Sequence, residues 1–171
     1  MEPVVRAFRP SEWRAYREIR LRALADSPDA FGSTLAVEES TPAERWESSL
    51  ARAATSGVDL PLLAEVDRRA AGLAWAKVDA SNALVVNLFQ MWVAPEFRGK
   101  GIGSMLVRAA VGWARSRDAD SVRLRVTCGD TPAARLYARE GFHVEGQREP
   151  LRPGSPLQSQ AMSLRLNKGA A

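Results

Sequence analysis

An α/β fold, a mixed sheet flanked by helices, is predicted by three features of the sequence. Segments whose apolar residues alternate with period two are interleaved with segments of helical period, so neither strands nor helices stand alone. Two apolar runs separated by the charged turn Asp67-Arg68-Arg69 read as a hairpin just before the centre of the chain. At the centre, the glycine-rich run Arg98-Gly99-Lys100-Gly101-Ile102-Gly103 joins a strand-like segment to a helix-like one.

In order, Val4 to Phe8 is a first strand, and Ser11 caps a helix carrying Trp13, Tyr16, Ile19 and Ala23 on one side. Ser27-Pro28-Asp29 breaks that helix. Thr41 then caps a second one, with Pro42 in its first position, Glu44 near the positive end of its dipole, and Trp46 and Leu50 on the buried side. Leu62 to Val66 and Gly72 to Val78 form the hairpin strands. The run from Leu84 to Val93 is rich in β-branched and aromatic residues and stops at Ala94-Pro95, where proline has no N–H for a ladder. Ile102, Leu106, Ala109 or Ala110 and Trp113 give Gly101 to Asp118 one apolar helical stripe. Val122, Leu124, Val126 and Cys128 alternate with Arg123, Arg125 and Thr127, as in a strand buried on one face. Thr131 to Glu140 is a short helix and Phe142 to Gln147 a strand; the prolines of Glu149 to Pro156 make a loop, and Gln158 to Leu166 is the last strand. The predicted order is β-α-α-β-β-β-α-β-α-β-β. A hydrophobic content of 46% suits one domain over all 171 residues.

Composition excludes several classes of function. The formal charge is +4, but the 20 acidic residues are interspersed with the 24 basic ones, which describes a solvated surface and no nucleic-acid partner. Lys77, Lys100 and Lys168 are the only lysines, so the basic character is almost wholly arginine. One cysteine, Cys128, makes no disulfide framework, and one histidine, His143, makes no zinc-type cluster, so no metal is expected. The first ten residues lack the apolar core of a signal peptide and no apolar run approaches the roughly 20 residues of a membrane span. A soluble, cytoplasmic protein with no membrane partner is the expectation.

The glycine run carries the chemistry. A helix start leaves backbone N–H groups unpaired and partly positive, and glycines let an anion approach without a Cβ in the way. The spacing fits neither the dinucleotide fingerprint G-x-G-x-x-G nor the nucleotide P-loop; it is R-x-x-G-x-G. With a strand and Val93-Ala94-Pro95 before it, this resembles the acyl-CoA loop of the GNAT family of N-acetyltransferases. A second block, Asp130-Thr131-Pro132-Ala133-Ala134-Arg135-Leu136-Tyr137-Ala138-Arg139-Glu140-Gly141-Phe142, is similar to that family's N-x-x-A-x-x-L-Y-x-x-x-G-F, with Asp130 where Asn is usual. Specific motifs cover residues 88 to 142, and the predicted element order agrees along nearly the whole chain.

The resemblance implies a mostly antiparallel sheet splayed between its fourth and fifth strands, with acetyl-CoA as cosubstrate. Its pantetheine arm would pair with backbone at Met91, Trp92 and Val93. Its pyrophosphate would lie on Arg98, Gly99, Lys100, Gly101, Ile102, Gly103 and Ser104, with Asp130 and Ala133 contributing from the second block. The reaction implied is direct attack of an amine on the thioester, with a backbone amide polarising the acyl carbonyl. Tyr137 matches the tyrosine that protonates the departing thiolate; its alternative is a core residue with a hydrogen-bonded hydroxyl. Many relatives carry Glu near the position of Asn87, and neither Asn87 nor Gln90 can accept a proton. The base is then a water chain, a carboxylate such as Glu38 or Glu39, or no specific group. The acceptor is a small-molecule or peptide amine, bordered by the Phe31 to Thr34 loop. Cys128 and His143 read as ordinary strand residues, and among the tryptophans Trp92 has the best claim to a site role. A non-catalytic acyl-CoA binding module is the alternative function, and the resemblance leaves a homodimer open.

Overall fold

The computed structural model describes residues 2–167. Seven strands form one sheet in the order β1-β2-β3-β4-β5-β7-β6: β1 (Pro3–Ala7), β2 (Asp59–Val66), β3 (Arg69–Val78), β4 (Val85–Val93), β5 (Ser121–Thr127), β6 (His143–Pro150) and β7 (Gln158–Arg165). Every pairing is antiparallel except β4 with β5. Helices α1 (Trp13–Asp26), α2 (Leu35–Glu39), α3 (Ala43–Thr55), α4 (Ile102–Ser116) and α5 (Pro132–Arg139) flank it.

The two sides of the sheet follow from the pleat. On β3, the α-carbon of Gly72 looks toward Leu106 of α4, whereas Trp75, an odd number of residues on, packs its ring 5.4 Å from Tyr16 of α1. So α4 covers one face and α1 the other. The core between them holds Leu24, Leu50, Leu73, Val86, Leu106, Val107 and Val122, all fully buried. Among the described residues no helix is long and apolar enough to cross a membrane.

Several boundaries differ from the sequence expectation. Glu12, not Ser11, sits at the start of α1, and its carboxylate serves Arg6 and the Arg9 N–H (2.6 Å) instead of capping the helix. Helix α3 starts one residue late, with Pro42 at the cap; Thr41 donates its hydroxyl to the Val37 carbonyl. The stretch between them contains a 3₁₀ turn at Pro28–Ala30 and α2, whose N-cap Thr34 accepts from Val37 N–H. Five residues are too few to show a helical period, so α2 left no trace in the pattern. The hairpin turn is tighter than expected, with Asp67 and Arg68 both at positive φ, and β2 begins already at Asp59. Strand β6 runs on to Pro150 through an irregularity between Glu145 and Glu149, taking two residues of the expected loop. As an edge strand it tolerates both the bulge and the proline.

Candidate active site

Strands β4 and β5 pair over a short stretch only, Val85 to Leu88 against Ser121 to Leu124. Beyond it, Phe89 to Val93 stays with β3 and Arg125 to Thr127 with β7, so the middle of the sheet opens. Gln90 marks the point of departure. Its φ of 58° is a left-handed conformation that a non-glycine residue rarely adopts, and the β3–β4 register slips beside it. Tyr16 of α1 donates its hydroxyl to Gln90 Oε1 at 2.6 Å, tying the bulge to the helix. The gap continues into a cleft of about 1640 Å³.

At one end of the cleft lies the start of α4. Gly99 and Gly101 have φ of 75° and 78°, conformations that favour glycine, and no atom lies within 4 Å of where a Cβ would stand on either. Among the described residues nothing accepts the N–H groups of Gly99, Lys100 or Gly101. Ile102, Gly103 and Ser104 form the first turn of α4, whose N–H groups have no carbonyl within the helix. The result is a row of donors at the positive end of a 15-residue helix, over open space. Gly103 also governs packing, since a Cβ there would stand 2.9 Å from Leu136 of α5; its absence lets α4 and α5 approach.

Met91, Trp92, Val93, Arg98, Gly99, Gly101, Ile102, Gly103, Ser104 and Ala133 all line the cleft, as does Tyr137. Lys100 and Asp130 do not: the Lys100 ammonium sits 5.6 Å from the Phe97 ring centroid, and exposed Asp130 pairs with Arg135 at 2.7 Å. The Arg98 guanidinium is committed to Asp26 (2.6 Å) and the Val93 carbonyl (2.9 Å), so Arg98 offers the cleft chiefly its backbone. Asp26 also accepts from Trp92 Nε1 at 3.0 Å, locking the end of α1 to the end of β4.

Tyr137 is buried, with its ring 5.9 Å from that of Phe142. Burial alone pushes its phenol above the ordinary value near 10, so the proton stays on oxygen at neutral pH. Among the described residues the hydroxyl has no hydrogen-bond partner, which departs from the packing alternative with a bonded hydroxyl.

The opposite side of the opening is built from the α1 face of the sheet. Asp59, Lys77, Asn87 and Arg123 stand in one register row across β2 to β5. Trp75 and exposed Phe89 form the next row, and Phe31 closes the wall from the segment after α1. Asn87 donates to Asp79 Oδ1 at 2.8 Å; this bond and those from Ser81 hold the Asp79 carboxyl at about 2. Asn87 therefore braces the β3–β4 turn. Glu38 receives a two-pronged hydrogen bond from Arg20 (2.9 and 2.7 Å), and neither it nor Glu39 lines the cleft. Phe31 belongs to the loop expected to border the acceptor, whereas Arg20, Trp75 and Phe89 were not singled out from the sequence as cleft residues. Arg20 carried a signal, being an arginine one turn beyond Tyr16 in the otherwise apolar stripe of α1. Cys128, half-buried, is bonded through its N–H to Gln158 O, whereas His143 opposes Ser163, roughly 17 Å further along β7; they form no dyad.

Comparison with known proteins agrees with this geometry. Residues 12–142 match the model of the acetyltransferase (GNAT) family. Mycothiol acetyltransferase of Acidimicrobium ferrooxidans is 34% identical over 148 residues, covering 84% of this chain and 44% of that protein. The chain thus spans less than half the length of this curated relative. A GNAT-family acetyltransferase from Streptococcus pneumoniae superposes with a TM-score of 0.82 at 22% identity, covering 97% of this chain and all of that one (100%). The PaiA N-acetyltransferase of Thermoplasma acidophilum, solved in complex with coenzyme A, gives 0.72 at 19% identity over 97% of this chain and 100% of the other. Splayed parallel pair, glycine cradle and family match coincide, and the chain belongs to the GNAT family of acetyltransferases.

Proposed function

We propose that this chain transfers an acetyl group from acetyl-CoA directly to a primary amine, residues 1–171 acting as one catalytic unit in the cytoplasm, where acetyl-CoA is made and used. The observation that carries the reading is the row of N–H groups from Gly99 to Ser104, without partners among the described residues, at the mouth of the β4–β5 gap. Those donors suit a pyrophosphate, and the gap-facing edge of Met91 to Val93, where Arg98 takes up the Val93 carbonyl, suits the amides of a pantetheine arm. The thioester then lies in the gap, with the acceptor on the side of Trp75, Phe89 and Phe31. As the amine nitrogen bonds to the acyl carbon, the C–S bond breaks and the thiolate takes the proton of Tyr137. The ammonium formed on nitrogen loses its proton to solvent, and Tyr137 regains one from solvent before the next turnover.

The acceptor class follows from what Asn87 cannot do. With Asn87 turned to Asp79 and Glu38 held by Arg20, no carboxylate of the expected set removes a proton from the amine. Neutralising a lysine-like amine at pH 7 costs about 4.6 kcal/mol, an α-amine about 1 kcal/mol. An α-amine is the better acceptor, on a small molecule or a peptide; the mycothiol acetyltransferase match supports the former. The test is release of free CoA from acetyl-CoA against amino acids, amino amides, polyamines, aminoglycosides and peptides. Acceptor-dependent release with a preference for α-amines is the expected result. Tight acetyl-CoA binding without release from any acceptor would mean a binding module instead.

A further inference from the structure

Arg20 is 4% exposed, lies in α1 and lines the cleft. Its Nε and Nη2 are spent on Glu38 and its plane rests 4.8 Å from the Phe31 ring centroid, so the guanidinium is held on one edge and one face. The third nitrogen, Nη1, is buried and has no partner among the described residues. A buried charged donor left unpaired is costly, and such an exception calls for a ligand or a role. The other buried orphan among those residues, Trp46 Nε1, does not line the cleft.

Position says what Nη1 is near. Arg20 lies one helical turn, roughly 6 Å, beyond Tyr16, whose hydroxyl holds the Gln90 bulge where β4 leaves β5. The orphan donor is therefore beside the acceptor wall and close to the opening of the sheet. Charge says what would bind. Glu38 already neutralises Arg20, Arg123 is paired with Glu145 and Arg125 with Glu149, while Lys77, in the same row as Arg123, has no ion pair among the described residues. A carboxylate at Nη1 would meet a guanidinium whose charge Glu38 already balances, whereas an uncharged oxygen needs only the donor.

We infer that Arg20 Nη1 is a specificity contact that donates to an uncharged carbonyl oxygen of the acceptor, so that the chain selects amines standing next to an amide or acyl carbonyl. This rests on the proposed transferase reading and narrows it. A carbonyl next to the amine is also what lowers an α-amine's basicity, so one substrate feature serves both the proton balance and the Arg20 donor.

Glycinamide and a fluorinated ethylamine of similar basicity but no carbonyl form the test pair. Wild-type protein is measured for kcat/KM by thiol release and, separately, for binding by NMR titration in the presence of CoA. A charge-assisted hydrogen bond predicts a preference for glycinamide of roughly 10- to 100-fold. In Arg20→Lys, which keeps a cation for Glu38 but lacks the planar fork, the preference for glycinamide over the fluorinated amine falls to within about 3-fold. Equal treatment of the two amines by wild-type protein overturns the inference, as does an equal loss on both in Arg20→Lys. Should Arg20→Lys fold poorly, the wild-type comparison decides alone. Absence of thiol release with selective glycinamide binding would sink the transferase reading and leave the contact standing.

Discussion

Replacing Tyr137 by Phe separates chemistry from packing more cleanly than any other change in this cleft. The side chain is buried, its hydroxyl meets no hydrogen-bond partner among the described residues, and it faces the cleft. Removing an unpaired hydroxyl that opens on the cleft costs the fold about 0 to 0.5 kcal/mol, because no bond is broken and no partner is orphaned. As proton donor to the thiolate, the same hydroxyl contributes on the order of 10²- to 10⁴-fold in rate, roughly 3 to 5 kcal/mol of activation free energy. The assay is steady-state thiol release with the best acceptor, beside thermal unfolding and CoA binding by calorimetry. Y137F should lose at least 10²-fold in kcat, keep its CoA affinity and unfold within about 2 °C of the parent. Because burial raises the phenol's pKa, the parent should show no alkaline loss of kcat from Tyr137 below pH 10. Turnover within 5-fold of the parent, or a large fall in unfolding temperature, would refute the argument.

Further outcomes follow from particular residues. Gly101→Ala forces an L side chain to φ 78° and sets a methyl over the donor row, so CoA should bind at least 10-fold more weakly in calorimetry, while left-handed strain of about 1 kcal/mol lowers Tm by roughly 2 to 4 °C. Gly72→Ala would put Cβ 2.7 Å from the Trp92 carbonyl, backbone that cannot yield, and should cost about 1 to 3 kcal/mol in urea unfolding; Gly112→Ala, in α4 with nothing within 4 Å, should add up to about 1 kcal/mol. Glu12, hydrogen-bonded by Arg6, has its carboxyl pulled from 4.5 down to about 2. Its folded value lies below its unfolded one, so its contribution is present above about pH 4.5 and is lost as pH falls toward 2. With both partners about three-quarters covered, Glu12→Gln should cost roughly 1 to 2 kcal/mol at pH 7 and nothing near pH 2, by denaturation across pH.

What the sequence disclosed is what repeats or what is chemically singular. Period-two alternation located β5 and β7 to within a few residues, and the glycine spacing located the cradle, since backbone conformation there is dictated by residue type. Side-chain commitments were illegible. Arg98 is tied to Asp26, 72 residues earlier, and Arg20 to Glu38 across a helix too short to announce itself. Asn87 could be read as unable to act as base, but its bond to Asp79 depends on how the β3–β4 turn folds back. The bulge at Gln90 is the clearest case. Nothing in Gln asks for positive φ, and it is the fixed hydroxyl of Tyr16 on a packed helix that holds it there.

That bulge also explains how an opening survives in the middle of a sheet. Past Leu88 and Leu124, each strand gives up ladder hydrogen bonds to the other, a loss a central pair would ordinarily avoid by zipping closed. Closure is blocked on both sides. Gln90 rotates β4 away from β5 and is anchored to α1, while the end of β5 is held from beyond the gap by Thr127, which donates its hydroxyl to the Asp29 carbonyl at 2.6 Å. Arg152 reinforces the same segment by donating to the carbonyls of Pro28 and Phe31. The edges facing the gap therefore stay parted without a ligand, and their free N–H and C=O groups are what an extended, amide-bearing chain can pair with. Binding such an arm restores a ladder the fold itself has been kept from closing, which ties the strain at Gln90 to affinity at the cleft.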